Sequence, residues 1–347
     1  MINFRYHLVS LVAVFLALAI GIIAGSTVIK ESILDQTQQN LDNAEKNLKD
    51  LEDSNNKLRT QIDQLKGRDD ALNAAGTTDL LQNRLTDMPV LMFKVDGVDD
   101  NSATMLRTAF TDAGAAFAGV VTFTDRLVLT NPADVAKMQD LLGTSMLDPT
   151  ALRAQLAGYL ATLVTGVADS RRVTVGQFGA ATSGVTTAPA GTTTTAPRTA
   201  TELASERLRQ FFHDLDDAGF VKFTDEPPNA DAMDLSGLRL AVMSGAGAKL
   251  DNGAFVYPFL QRLSVGASPA TLAVEATPTG STVERGGFVG PIRDDAALRQ
   301  RVSTVDDAEW FLGWAAAVMA LEALDDGVVG HYGIGKGADD ALPTNNP

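Results

Sequence analysis

Twenty-two consecutive residues without a charge, Leu8 to Ile29 (LVSLVAVFLALAIGIIAGSTVI), lie between Arg5 and Lys30. As a helix rising 1.5 Å per residue, a run of that length crosses a hydrocarbon core of about 30 Å. It predicts a transmembrane helix over 8–29 behind a short cytoplasmic stretch, 1–7. A cleaved signal peptide is the competing reading, because Ala24-Gly25-Ser26 offers small residues near the end of the run. Against it, the run exceeds the roughly 7 to 15 residues of a signal core and leads straight into a helical pattern. Arg5 on one side balances Lys30 on the other, so Lys and Arg do not set the orientation. The α-amino charge and the short leading segment favour an inside N-terminus. That places everything after Lys30 outside the cytoplasm, on a single pass through the cell membrane. Gly21 and Gly25 have the spacing that lets two membrane helices approach closely and are the candidate contact within the span.

Directly beyond the span the apolar residues fall on a seven-residue repeat. Leu34, Leu41, Leu48, Asn55, Ile62 and Asp69 take the a positions, and Thr37, Ala44, Leu51, Leu58, Leu65 and Leu72 take d. A repeat sustained over more than three heptads without proline predicts a coiled coil over 31–74. At about 1.5 Å per residue, some 40 residues extend on the order of 60 Å, so the helix would act as a spacer. Asn55 is the exception at an a position, where a buried amide favours the two-stranded, in-register arrangement. The g to e′ pairs, Asn47 with Glu52, Ser54 with Arg59 and Gln61 with Lys66, contain no ion pair, so charge does not name a partner. A homodimer through Leu41, Leu48, Leu51, Asn55, Leu58, Ile62 and Leu65 is expected, with a groove for another protein's helix and a fold-back onto the chain's own domain as alternatives.

From Pro89 onward short apolar runs alternate with amphipathic segments. Val90 to Val95 reads as a strand, Asn101 to Ala113 as a helix and Ala115 to Phe123 as a second strand, which is a parallel βαβ unit. A helix follows from Pro149 to about Thr165. A second α/β stretch begins with a strand at Leu238 to Met243, a helix near Gly253 to Leu263 and a strand near Thr271 to Glu275. Between the halves, residues 181–200 (ATSGVTTAPAGTTTTAPRTA) carry eight threonines and one large apolar residue, Val185. That is too little to offset the entropy of ordering them, so the segment reads as a flexible surface insertion, a bare linker, with an O-glycosylation target as the alternative. Glu202 to Asp217 resumes as a helix. Trp310 to Leu321 is apolar all round but too short to span a bilayer, so it reads as a buried core helix. The expected class is α/β: a Rossmann-like or flavodoxin-like extracytoplasmic domain over 88–335, ending in a C-terminal tail, 336–347.

Composition excludes several functions. With 28 basic side chains against 43 acidic ones, the formal net charge of -15 argues against a nucleic-acid binder. The absence of cysteine removes disulfides, thiolate metal sites and cysteine nucleophiles. Three histidines, His7, His213 and His331, supply little for a metal centre, and the last two read as structural. Gly330 to Lys336 has GxxxxGK spacing but is followed by Gly337 instead of Ser or Thr, and it comes after a helix instead of a strand. Gly245-Ala-Gly247 lacks the third glycine of a dinucleotide fingerprint and reads as a turn. The paired acids at 99–100, 216–217, 294–295, 306–307 and 325–326 lack the ligand spacing of a calcium loop. Helix caps and solvated faces account for most of them. Nine methionines form no dense cluster, so core packing explains them better than copper ligation does.

The N-terminal run MINFRYHLVSLVAVFLALAIGIIAG, the heptad helix, the VLMFKVDG strand and the terminal VVGHYGIGKGA resemble the actinobacterial family of mycobacterial copper transport protein B. The resemblance covers essentially the whole chain except the threonine-rich insertion. It implies an actinobacterial envelope protein concerned with copper transport or copper homeostasis and, for some members, an outer-membrane channel. It also implies kinship with partners in a septal complex that controls peptidoglycan hydrolases during cell separation. It supplies no metal-ligand motif, and copper enters by resemblance alone. The residues themselves favour a non-enzymatic, membrane-anchored protein whose coiled coil recruits a partner; the resemblance implies that this partner is another envelope or division protein, at the septum. Copper efflux or tolerance is the alternative.

Overall fold

A computed structural model describes residues 4–76, 80–169, 200–227, 233–265, 269–278, 281 and 284–343. The chain divides into two compact units, Met1–Arg68 and Asp69–Pro347. The threonine-rich insertion read over 181–200 lies outside the described residues except for Ala200, which opens a helix.

The first unit is helical. α1 runs unbroken over Phe4–Gly76, 73 residues that include no proline to remove a backbone donor. Its segment Arg5–Gly25 is long and apolar enough to cross a membrane, and its side chains are exposed. Leu41, Leu48 and Leu51 are likewise 61%, 69% and 71% exposed. The helix and its apolar N-terminal part match the sequence reading. Its pairing as a coiled coil is a separate matter, taken up below.

The second unit is built on a seven-stranded mixed sheet. Its elements are β1 (Pro89–Val95), α2 (Asp100–Asp112), β2 (Ala116–Phe123), α3 (Pro132–Leu142), α4 (Pro149–Ala168), α5 (Ala200–Asp217), β3 (Val221–Thr224), β4 (Arg239–Gly245), α6 (Val256–Leu263), β5 (Thr271–Ala276), α7 (Val289–Asp294), α8 (Ala296–Arg299), β6 (Val302–Val305), α9 (Phe311–Ala323) and β7 (His331–Tyr332). The order across the sheet is β3-β2-β1-β4-β5-β6-β7, parallel throughout except for β3 at the edge. With β3 set aside, winding runs outward in both directions from β1 and β4, as in a doubly wound fold.

Local chemistry explains the elements. Every residue of β1 is buried, as expected of a central parallel strand covered on both faces. Asp99 caps α2 by accepting from Ser102 N at 2.7 Å. Asn131 and Asp148 cap α3 and α4, each followed by proline at the first helical position. Phe93 stands at the centre of the core, with ring centroids 5.3 Å from Phe123, 5.2 Å from Phe259 on α6 and 5.9 Å from Phe212 on α5. α9 packs against α2, β5 and β6, which buries nearly all of its apolar circumference and confirms it as a core helix. The sequence reading missed the antiparallel β3, α3, the short α7 and α8, β6 and β7.

Candidate functional site

Doubly wound sheets receive ligands at the carboxyl ends of their strands, in the crevice where the winding reverses. Here that point lies between β1 and β4, and the chain fills it with its own backbone. Gly97 follows β1 at φ 88° and Gly247 follows β4 at φ 86°, and a Cβ on either would collide with the carbonyl oxygen of the other. Lys249 ties the two turns together, its backbone N–H donating to Asp96 O at 2.8 Å and its Nζ reaching Asp96 Oδ2 at 3.0 Å. Lys222 Nζ lies 3.6 Å from the same carboxylate. The hydrogen bond from Lys249, aided by the charge of Lys222, holds the Asp96 carboxyl below its ordinary range against the opposing effect of burial. The Gly245-Ala-Gly247 segment is therefore a turn, as its spacing predicts.

Over the next two strands, β5 and β6, the carboxyl edge carries a buried network of acids and arginines. Glu275, near the end of β5, is 1% exposed. Its carboxylate accepts the N–H groups of Gly286, Gly287, Phe288 and Val289 at 2.7, 3.2, 2.9 and 2.9 Å, filling the anion-seeking start of α7 from within the protein. Asp306, just beyond β6, is fully buried and pairs with Arg293 Nη1 at 2.6 Å. It also accepts from Ile334 N at 2.9 Å and Gly335 N at 3.0 Å. An internal carboxylate thus occupies the place that the GxxxxGK spacing would reserve for a phosphate. Arg285 donates to the Asp306 carbonyl oxygen and pairs with Glu309.

Asp307 differs from its neighbours. It is 3% exposed, and its Oδ1 has no hydrogen-bond partner among the described residues. Burial, reinforced by the charges of Asp306 and Glu309, pushes its carboxyl up to about 7, with Arg285 opposing. The expectation that paired acids are caps or solvated faces holds for Asp99 and Asp295, which accept backbone N–H groups at helix starts. It fails for Asp306, which is buried because Arg293 of α7 and the amides of Ile334 and Gly335 converge on its carboxylate, and for Asp307, which is buried beside it.

His331 is structural, as expected. Its Nδ1 lies 3.0 Å from Thr304 Oγ1 and its Nε2 3.1 Å from the Arg299 carbonyl oxygen. Since a carbonyl only accepts, Nε2 carries the proton, and Thr304 Oγ1, which takes Arg293 Nε at 2.8 Å, donates to Nδ1. Burial, with Arg299 and Arg293 nearby, lowers its pKa. His213 is half exposed and 3.3 Å from Glu226. Met92, Met138 and Met243 are fully buried. Among the described residues no three His, Asp or Glu side chains gather into a group that could hold a metal ion.

Of the residues singled out on α1, Leu41, Leu48, Leu51 and Asn55 are exposed. Leu58, Ile62 and Leu65 continue the same helix, and their side chains lie outside the described ones. A Cβ added to Gly21 or Gly25 would touch nothing within 4 Å. The buried acid network was missed because the N–H groups that satisfy Glu275 and Asp306 lie far along the chain from them.

A family model described as copper transport outer membrane protein, MctB, matches residues 1–343. The chain belongs to the MctB family. Relatives of that name, copper transporter MctB, occur in Mycobacterium tuberculosis (strain H37Rv) and Mycobacterium bovis. Each is 27% identical over 97% of this chain and 98% of the relative. The protein of the same name from Mycobacterium leprae is 26% identical over the same shares. The MctB match takes in both units of the chain and confirms the resemblance drawn from the sequence.

Proposed function

We propose that this protein works in copper transport or copper tolerance, as a single-pass component of the cell envelope with its α/β unit outside the cytoplasm. The observation that carries the reading is the MctB match over residues 1–343, which includes the apolar segment Arg5–Gly25 as well as the whole α/β unit. Copper in this reading is cargo. In this reading the α/β unit serves as a binding or structural module; the close approach of Gly97 and Gly247 at the winding reversal and the commitment of Glu275 and Asp306 to internal donors support it.

Deleting the gene and measuring intracellular copper after exposure to a copper salt tests the proposal. The deletion strain is expected to accumulate copper and to grow more poorly in it, with rescue by the full chain and no rescue by a version lacking residues 4–30. Intracellular copper equal to that of the parent strain would overturn it. A recruiting role in cell separation rests on the exposed heptad stripe and on the resemblance noted in the sequence, and the relatives' names speak for copper instead.

A further inference from the structure

The first unit is a helix, and nothing within that unit covers its apolar stripe. At about 100° per residue, Leu41, Leu48, Leu51 and Asn55 fall within an arc of about 80°. The three leucines are more than half exposed, 61%, 69% and 71%, which is where an aqueous helix would place charge.

We infer that this face pairs with the same face of a second copy of the chain, parallel and in register. Three observations select a second copy over another partner. α1 is continuous from the apolar segment Arg5–Gly25 through the stripe, so two copies inserted in the same sense arrive side by side with equal residues at equal heights. Asn55 occupies an a position among leucines, and its amide finds a matched partner where a second Asn55 faces it. The flanking positions suit self-pairing: Glu45 and Glu52 meet Asn40 and Asn47 of the other copy, so along the stripe from Leu41 to Asn55 no acid faces an acid. The same geometry separates this interface from the glycine pair in the membrane. On an unbroken helix Gly25 and Gly21 lie about 120° and 160° round from the centre of the stripe. The two copies therefore meet through the leucines and turn their glycines away.

The chain lacks cysteine, which gives a clean test. In the full-length protein in membranes, Leu48→Cys is expected to crosslink to itself on mild oxidation, with most of the protein running as a disulfide-linked dimer. Asp53→Cys, about 160° round the helix from the centre of the stripe, is expected to stay monomeric. Two differently tagged copies of the unsubstituted chain are expected to co-purify. Equal crosslinking at both positions, crosslinking of Leu48→Cys to a different protein only, or tagged copies that fail to co-purify would overturn the inference. These readouts do not involve copper, so the inference and the transport reading stand or fall separately.

Discussion

Arg293 and Asp306 form an ion pair shut away from solvent, with Nη1 2.6 Å from Oδ2 and side chains 1% and 0% exposed. Arg293 also donates to Thr304 Oγ1, Tyr332 O and Lys336 O, so one guanidinium joins β6, β7 and the segment beyond it. Removing either partner strands a buried charge. Arg293→Met or Asp306→Asn is expected to destabilise the α/β unit by about 3–5 kcal/mol. Replacing both should cost less than the sum, because the two changes share a network. Thermal unfolding of the full-length protein in detergent measures the effect, and additive losses would show that the pair is not coupled.

Asp307 makes stability depend on pH. Its folded carboxyl is pushed up to about 7 from an ordinary 3.8, so between those values the folded state holds a proton that the unfolded state has released. Its contribution is full below pH 3.8, falls as the pH rises towards about 7 and is constant beyond. The charges facing it are Asp306 and Glu309 on its own turn and Arg285 from the loop before α7. Asp307→Asn removes this dependence and is expected to raise the melting temperature at pH 8 while changing it little at pH 4. Parallel melting curves of the parent and variant across that range would refute the assignment.

The backbone plug between β1 and β4 predicts a contrast among glycines. Gly97→Ala adds a Cβ at a left-handed φ of 88° and against the Gly247 carbonyl, and should cost about 1–3 kcal/mol or more. Gly143 has a similar φ of 60° but nothing within 4 Å of an added Cβ, so Gly143→Asn should be nearly silent. Urea midpoints of the two variants decide the matter.

The apolar segment predicts membrane retention. Leu16 lies within Arg5–Gly25, and an arginine near the centre of a span costs about 3 kcal/mol. The unsubstituted chain should remain with membranes after alkaline carbonate washing, whereas Leu16→Arg combined with Leu11→Arg should appear in the soluble fraction. A variant as firmly retained as the parent would point to another mode of attachment.

Much of the architecture could be read along the chain because its signals are local. The β1-α2-β2 unit shows in the run VLMFKV, the capping Asp99 and the second apolar run. The long helix shows in its heptads, and α9 in an apolar stretch too short for a bilayer. What escaped depends on distant partners. β6 is the four-residue run Val302–Val305, half of it Ser and Thr, and it is a strand because it docks between β5 and β7. Glu275 interrupts the apolar pattern of β5, and only the amides of 286–289 make its burial affordable. The stripe at Leu41, Leu48 and Leu51 was legible as a pattern, while the angular offset of Gly21 and Gly25 follows from the continuity of α1.

The closure at the winding reversal is made of main-chain atoms, the carbonyl of Gly97 facing Gly247 and that of Gly247 facing Gly97. A side chain blocking a crevice can be trimmed by one substitution; two carbonyls cannot. No side-chain truncation at Gly97 or Gly247 could open the crevice between β1 and β4. A ligand entering at this point of the sheet would need the loops after β1 and β4 to move apart.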